Sequence, residues 1–171
     1  MVPIVGVMGS GRERHDTLAS AVAEVIARTG ACLLVGGGGG VMSSVAEYFK
    51  RFSPAGTVIG VLPCRAPGSS EPPSGYPNPW IDIAIQTHLH LSGTQGTDPM
   101  SRNHINVLSS TAVVALPGGA GTVSEVCLAH AYGRPVVVFH GGRGELVGAP
   151  ETVEQTASIE DVTGFLRRHV N

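Results

Sequence analysis

Residues 113–125 read VVALPGGAGTVSE, and this stretch decides the fold that the sequence predicts. An apolar run ends at Pro117, glycines follow it, and a Thr-x-x-Glu motif runs from Thr122 to Glu125. A buried strand that passes through a tight turn into a helix has this pattern. In this interpretation Thr122 is the N-cap of the helix, and Glu125 is its partner in a capping box.

Two more glycine-rich turns, at residues 9–11 and 36–40, follow apolar runs in the same way as the turn at 118–121. Glycine leaves backbone N–H groups uncovered, and amides that point outward at a helix N-terminus bind anions. Parallel sheets bind ligands beyond the carboxyl ends of their strands, where all three turns would meet. We therefore expect a nucleotide or another phosphate ligand there. The alternative is that the glycines only allow helices to pack tightly on strands.

The composition predicts one domain over residues 1–171. The chain is 42% apolar and 14% charged, so it can bury a sizeable core. A net charge of -2 argues against nucleic acid as a partner. No apolar stretch is long enough for a membrane span, and the start lacks the features of a signal peptide. Three scattered cysteines in apolar surroundings are typical of free thiols, so we expect a cytoplasmic protein.

Lysine occurs once in the chain, at Lys50, among eleven basic residues. It stands where a helix is expected to end, a position that favours cations. A pyridoxal-phosphate enzyme needs a lysine for its Schiff base, and a P-loop needs Gly-Lys-Ser/Thr. The sequence has no plausible candidate for either, which disfavours both classes, and we do not expect a lysine decarboxylase.

Apolar runs of strand length alternate with segments of helical periodicity along the chain. Strands are expected at residues 3–8, 31–35, 57–62, 81–86, 112–116 and 135–139, and helices at 16–30, 41–52, 99–110, 122–132 and 158–169. The predicted fold is α/β and Rossmann-like, doubly wound around a mostly parallel sheet with helices on both faces. Residues 63–80 are expected to form an irregular loop, and residues 87–98 a lid.

Two charged residues are candidates for chemistry. Arg102 falls in the first turn of a predicted helix, where the helix dipole disfavours a cation. This position favours a phosphate-binding role for Arg102, and the alternative is an ordinary surface arginine. Glu125 has two interpretations that the spacing leaves open, a capping carboxylate or an acid or base in the site. His88, His90 and His104 lack the acid or cysteine that would complete a metal site, so no metal is expected.

The motifs together resemble those of the "lysine decarboxylase-like" family, which includes the cytokinin-activating LOG proteins. The LOG signature Pro-Gly-Gly-x-Gly-Thr-x-x-Glu is met in full by residues 117–125, and the earlier glycine turns match as well. The resemblance implies a Rossmann-like fold, a homodimer or higher homo-oligomer, and hydrolysis of the N-glycosidic bond of a nucleoside 5′-monophosphate. It implies Arg102 and Glu125 as the catalytic pair and no required cofactor.

One residue departs from the LOG pattern. LOG proteins have lysine after the arginine, whereas this chain has Asn103. An Arg-Asn pair followed by residues 107–110 is more similar to the molybdenum cofactor carrier proteins, which bind a phosphate-bearing pterin. The alternative function is therefore that of a non-catalytic carrier with this cofactor as its cargo.

Both functions imply a small phosphorylated ligand on the same residues. The residues expected to contact it, besides Arg102 and Glu125, are Gly9, Ser10, Gly37, Gly38, Gly39, Met100, Asn103, Pro117, Gly118, Gly119, Gly121 and Thr122.

Overall fold

A computed structural model describes residues 1–170 of the chain. Its seven strands form one sheet in which every pair of neighbours is parallel, in the order β4-β3-β2-β1-β5-β6-β7. The strands are β1 Ile4–Met8, β2 Cys32–Val35, β3 Val58–Leu62, β4 Ile83–Gln86, β5 Ala112–Ala115, β6 Val136–Phe139 and β7 Glu154–Thr156. The helices are α1 Asp16–Thr29, α2 Val41–Phe52, α3 Asn103–Leu108, α4 Ala120–Ala131 and α5 Ile159–Val170.

Helices cover both faces of the sheet, as the alternation of strands and helices predicted. The larger core lies under α1, α2 and α5 and takes alternate strand residues such as Val5, Val7 and Leu33. On the opposite face, α3 and α4 pack against Leu34 and Val113. Successive strand residues point to opposite faces, so one short apolar strand supplies both cores. The predicted Rossmann-like α/β fold is confirmed, with a sheet that is wholly parallel.

The direction of winding changes between β1 and β5. From β1 the chain adds β2, β3 and β4 on one side, and then returns to add β5, β6 and β7 on the other. The two central strands pair from Val5↔Ala112 to Met8↔Ala115, so they end at the same level. Open parallel sheets bind ligands in the crevice beyond such a switch point. The turns after β1 and β5 therefore lie side by side in the expected place.

The predicted capping box at Thr122 and Glu125 is wrong. Helix α4 begins two residues earlier, at Ala120, and its N-cap Gly119 has no side chain with which to cap the helix. The amide of Val123 donates to the carbonyl of Gly119 at 3.1 Å, which makes Thr122 part of the first helical turn. This displacement frees the Glu125 side chain from the helix end.

Several predicted boundaries also differ. The helix expected at 99–110 is only Asn103–Leu108, because Asp98 accepts the Met100 amide through its side chain and the Ser101 amide through its carbonyl, at 2.8 Å each. Strand β7 was not predicted, since its residues Glu154–Thr156 lack an apolar pattern. The expected Ser158 cap of α5 is present, for its Oγ accepts the Asp161 amide at 3.3 Å.

Candidate functional site

A cavity of about 530 Å³ lies beyond the carboxyl ends of β1 and β5. Its walls come from the turns after β1, β2 and β5, from residues 92–93, and from the starts of α3 and α4. It is lined by Val7, Met8, Gly9, Ser10, Gly11, Arg12, Gly36, Met42, Ser92, Gly93, Arg102, Asn103, Gly119, Ala120, Gly121, Thr122 and Glu125. The cavity thus includes six of the twelve expected ligand contacts together with the expected catalytic pair.

Ser10 joins the three glycine-rich turns. Its amide donates to the carbonyl of Pro117 at 3.1 Å, and its own carbonyl accepts the amide of Val41, the first residue of α2, at 2.8 Å. Its Oγ accepts the amide of Glu13 at 2.9 Å. Because Ser10 bonds to the turns after both β2 and β5, the three turns form one rigid base for the cavity.

The third turn places the start of α4 against the cavity. Gly119, Gly121 and Thr122 line it, whereas Pro117 and Gly118 line a second, neighbouring cavity. The first helical bond of α4 is the one from Val123 to Gly119, so the amides that precede Val123 have no partner within the helix. Such amides, at the positive end of the helix dipole, favour an anion.

The second turn contributes less than expected. Gly36 lines the cavity, but Gly37, Gly38 and Gly39 do not. The loop between β3 and β4 covers the first two of these, for Asn78 donates its side-chain amide to Gly38 O at 2.9 Å. A Cβ on Gly38 would meet the Tyr76 ring, which lies directly over it. The structure therefore does not bring these three glycines into the cavity.

Arg102 lies at the base of the cavity and is only 6% exposed. Its Nε donates to Val61 O at 2.8 Å, and its Nη2 donates to Gly36 O at 3.1 Å. Its Nη1 donates to Asn103 Oδ1 at 3.3 Å. The interpretation as a surface arginine is wrong. Since a guanidinium has five N–H groups, two remain for a ligand.

Gly36 is needed for this arrangement. A Cβ at this position would lie 2.6 Å from Arg102 Nη2 and 2.8 Å from Met42 Sδ. The glycine thus allows the guanidinium to reach the end of β2. This is a packing role, which differs from the phosphate contact expected of the second turn.

Glu125 faces the cavity rather than the helix end, and it is 8% exposed. Its Oε1 accepts a hydrogen bond from Asn106 Nδ2 at 2.9 Å. Burial raises the pKa of the Glu125 carboxyl above its ordinary value, and the nearby charge of Arg102 and the Asn106 bond oppose this shift only in part. The group is therefore protonated more readily than an exposed glutamate.

The sequence reasoning missed several residues of the site. Arg12 lines the cavity, and its side chain forms no hydrogen bond or ion pair with any residue in 1–170. The predicted lid supplies Ser92 and Gly93, which stand in a wall held to α4 by a 3.0 Å bond from Ser124 Oγ to Gly93 O. Only the position of Arg12, directly after the first glycine turn, was a signal that sequence reasoning could have used.

Met100 and the histidines lie outside the cavity. Met100 is 37% exposed at the surface. His104 is engaged elsewhere, with its Nδ1 2.7 Å from Tyr132 Oη and its Nε2 3.0 Å from Asp98 O. Within residues 1–170 no three His, Cys, Asp or Glu side chains are grouped as metal ligands would be. Nor does that part of the chain contain a helix of the length and hydropathy needed to cross a bilayer.

A family model described as the SLOG cluster4 family matches residues 2–164. The chain belongs to the SLOG cluster4 family. This SLOG cluster4 protein is 34% identical over 147 residues to an Archaeoglobus fulgidus protein described as uncharacterized. The aligned part is 81% of this chain and 85% of the archaeal protein.

Solved structures of molybdenum cofactor proteins are also similar to this SLOG cluster4 protein. The molybdenum cofactor binding protein of Rippkaea orientalis is 29% identical with a TM-score of 0.78, and 100% of this chain and 99% of that chain are covered. The molybdenum cofactor carrier protein of Chlamydomonas reinhardtii is 28% identical with a TM-score of 0.70, and 98% of each chain is covered. The predicted similarity to the carrier proteins is confirmed, while membership of the LOG family itself stays a prediction.

Proposed function

We propose that this protein carries the molybdenum cofactor and binds it through the phosphate of its pterin without chemical turnover. One observation carries the proposal. The first amides of α4, Arg12 and Arg102 line a single cavity whose only carboxyl group among the described residues is the buried Glu125. Two cations, free amides and an acid whose pKa is raised by burial favour a phosphorylated anion.

The likeness to two proteins described as binding or carrying this cofactor supports the choice of ligand. Both similarities extend over nearly the full length of each chain, so they include the glycine turns and the wall at 92–93. A cavity of about 530 Å³ is also within the range that ligand-sized sites occupy, roughly 300–1,000 Å³.

The burial of Glu125 supports a carrier over a hydrolase. A phosphoribohydrolase would need its carboxylate to activate water or to stabilise an oxocarbenium-like sugar. Burial in this site disfavours the ionised form. Asn103 stands where LOG proteins have lysine, and its Oδ1 accepts a bond from Arg102, which makes it part of the wall.

The test is to measure cofactor loading. The protein, expressed in cells that make the cofactor, is expected to retain about one molybdenum and one pterin per chain. It should then deliver them to an apo-enzyme that requires the cofactor. Arg12→Gln should reduce loading, and Arg167→Gln, which lies on α5 outside the cavity, should not. Absence of loading in the unaltered protein would overturn the proposal.

The second candidate function is the phosphoribohydrolase. The observation in its favour is that Arg102 and Glu125 line the same cavity, next to the full signature at 117–125. Base release from a panel of nucleoside 5′-monophosphates, including N6-substituted adenosine monophosphates, separates the two functions. Release that Glu125→Gln abolishes would establish the hydrolase. Homo-oligomerisation and a cytoplasmic location stay predictions under either function.

A further inference from the structure

A second cavity, of about 680 Å³, lies on the other side of the α4 N-terminus. Its walls come from the turn after β5, the start of α4, and residues 138–147 after and within the end of β6. The two cavities share Gly119 and Ala120, and the adjacent residues Gly93 and Thr94 line one cavity each. They are therefore neighbours along one edge of the sheet.

The boundary between the cavities is bare backbone. No atom lies within 4 Å of the place that a Cβ on Gly119 would occupy. A ligand seated on the first amides of α4 thus has open space directly over Gly119. The same amides are available to a group on either side of this glycine.

Each cavity holds one arginine without a partner. Arg12 lines the first cavity and Arg143 lines the second. Within residues 1–170 neither side chain forms an ion pair or a hydrogen bond, whereas Arg14, Arg28 and Arg51 all pair with carboxylates. A free guanidinium beside helix N-terminal amides is suited to a phosphate group.

The remaining lining of the second cavity is of mixed chemistry. Val123, Val138, Leu146 and Val147 provide an apolar wall. Glu145 lines the same cavity without an ion pair to Arg143 among the described residues, so its oxygens are available to accept hydrogen bonds. An apolar wall suits the face of a base, and a carboxylate accepts from ribose hydroxyls or ring N–H groups.

We propose that the second cavity binds a nucleoside that is joined through a phosphate to the group in the first cavity. The preferred ligand is then of the dinucleotide class, with one phosphorylated unit on each side of Gly119. Arg143 holds the phosphate of the second unit, and Glu145 holds its sugar or base. The inference rests on the proposed function for the identity of the first unit only.

The first experiment compares two forms of the molybdenum cofactor, one without a nucleotide and one with guanosine monophosphate joined to its phosphate. The unaltered protein is expected to bind the extended form about tenfold more tightly or better, as one added charge-assisted contact provides. Arg143→Gln should remove this preference and leave affinity for the shorter form unchanged. Arg167→Gln serves as the matched control. Equal affinity for both forms, or a loss at Arg143→Gln for both, would overturn the inference.

The second experiment does not depend on molybdenum. Calorimetry compares guanosine 5′-monophosphate with diguanosine 5′,5′-diphosphate, and the dinucleotide should bind more tightly in a manner that Arg143→Gln abolishes. If neither cofactor form binds but this preference is found, the proposed function fails and the second site stands. If the cofactor forms bind equally and the dinucleotide has no advantage, the second site fails and the proposed function stands.

Discussion

Asn106 Nδ2 lies 2.9 Å from Glu125 Oε1, and Glu125 lines the cavity while Asn106 is buried behind it. Asn106 is fully buried, and its Oδ1 has no hydrogen-bond partner in residues 1–170. Its backbone carbonyl accepts the hydroxyl of Ser110 at 2.8 Å. Asn106 therefore holds the carboxyl group in place from the side that faces away from the ligand.

Asn106→Leu is expected to lower the free energy of unfolding by about 1–3 kcal/mol, because a buried Glu125 then loses its donor. The double variant Asn106→Leu with Glu125→Leu should recover most of this loss, since no polar group is left unpaired. Urea unfolding of the unaltered protein, both single variants and the double variant gives the four free energies of unfolding that a double-mutant cycle needs. Additive losses in the double variant would contradict a coupling between the two side chains.

Glu125→Gln is expected to become more stable relative to the unaltered protein as pH rises. The folded-state pKa of Glu125 is raised by burial, so the stability that its protonated form contributes is fully present below the unfolded value of about 4.3. It is lost as pH rises through the folded pKa. Glutamine cannot ionise and avoids this loss.

Unfolding free energies measured in steps between about pH 4 and pH 8 test this dependence. Glu24→Gln is a suitable control, because the Glu24 side chain is 42% exposed on α1 and does not line the cavity. A constant difference between Glu125→Gln and the unaltered protein at every pH would show that burial does not raise the pKa of Glu125.

Local patterns in the sequence predicted the sheet and the turn at 117–125, because a strand, its glycines and the helix that follows are neighbours in the chain. The contacts that complete the site are not local. Asn106 meets Glu125 across 19 residues, and Asn78 reaches Gly38 across 40. A periodic pattern in the sequence carries no information about such pairs. The sequence therefore predicted that the second glycine turn faces the ligand, whereas the loop that contains Asn78 covers it.

The boundaries of the elements were missed for a related reason. The cap predicted at Thr122 followed from spacing, but Gly119 is already extended and begins the helix earlier. Strand β7 forms because Glu154–Thr156 pairs with β6, and its own residues carry no strand pattern. Pairing with a neighbouring strand therefore determines the structure of a segment whose own sequence does not predict a strand.

Two neighbouring glycines of the signature are expected to respond differently to alanine. A Cβ on Gly118 would lie 2.9 Å from the Ser10 amide nitrogen and would also meet the Thr122 side chain, whereas nothing is within 4 Å at Gly119. Gly118→Ala should destabilise the fold by about 1–3 kcal/mol, as overpacking does. Gly119→Ala should have little effect. Thermal unfolding measures both, and equal losses would contradict the close approach of the first and third turns.

The two arginines of the first cavity are expected to separate binding from stability. Arg12 has no side-chain partner in residues 1–170, so Arg12→Gln should leave the unfolding free energy unchanged. It should weaken binding of a phosphorylated probe such as adenosine 5′-monophosphate about tenfold or more, through loss of a charge-assisted bond.

Arg102→Gln should lower both the affinity for the probe and the free energy of unfolding, since the Arg102 guanidinium also donates to Val61 O and Gly36 O. The cost to stability arises because those buried carbonyls lose their donors. Calorimetric titration with the same probe, alongside urea unfolding, distinguishes the two arginines. If Arg12→Gln destabilised the fold as much as Arg102→Gln, Arg12 would be a structural residue and the cavity would have one ligand-facing arginine.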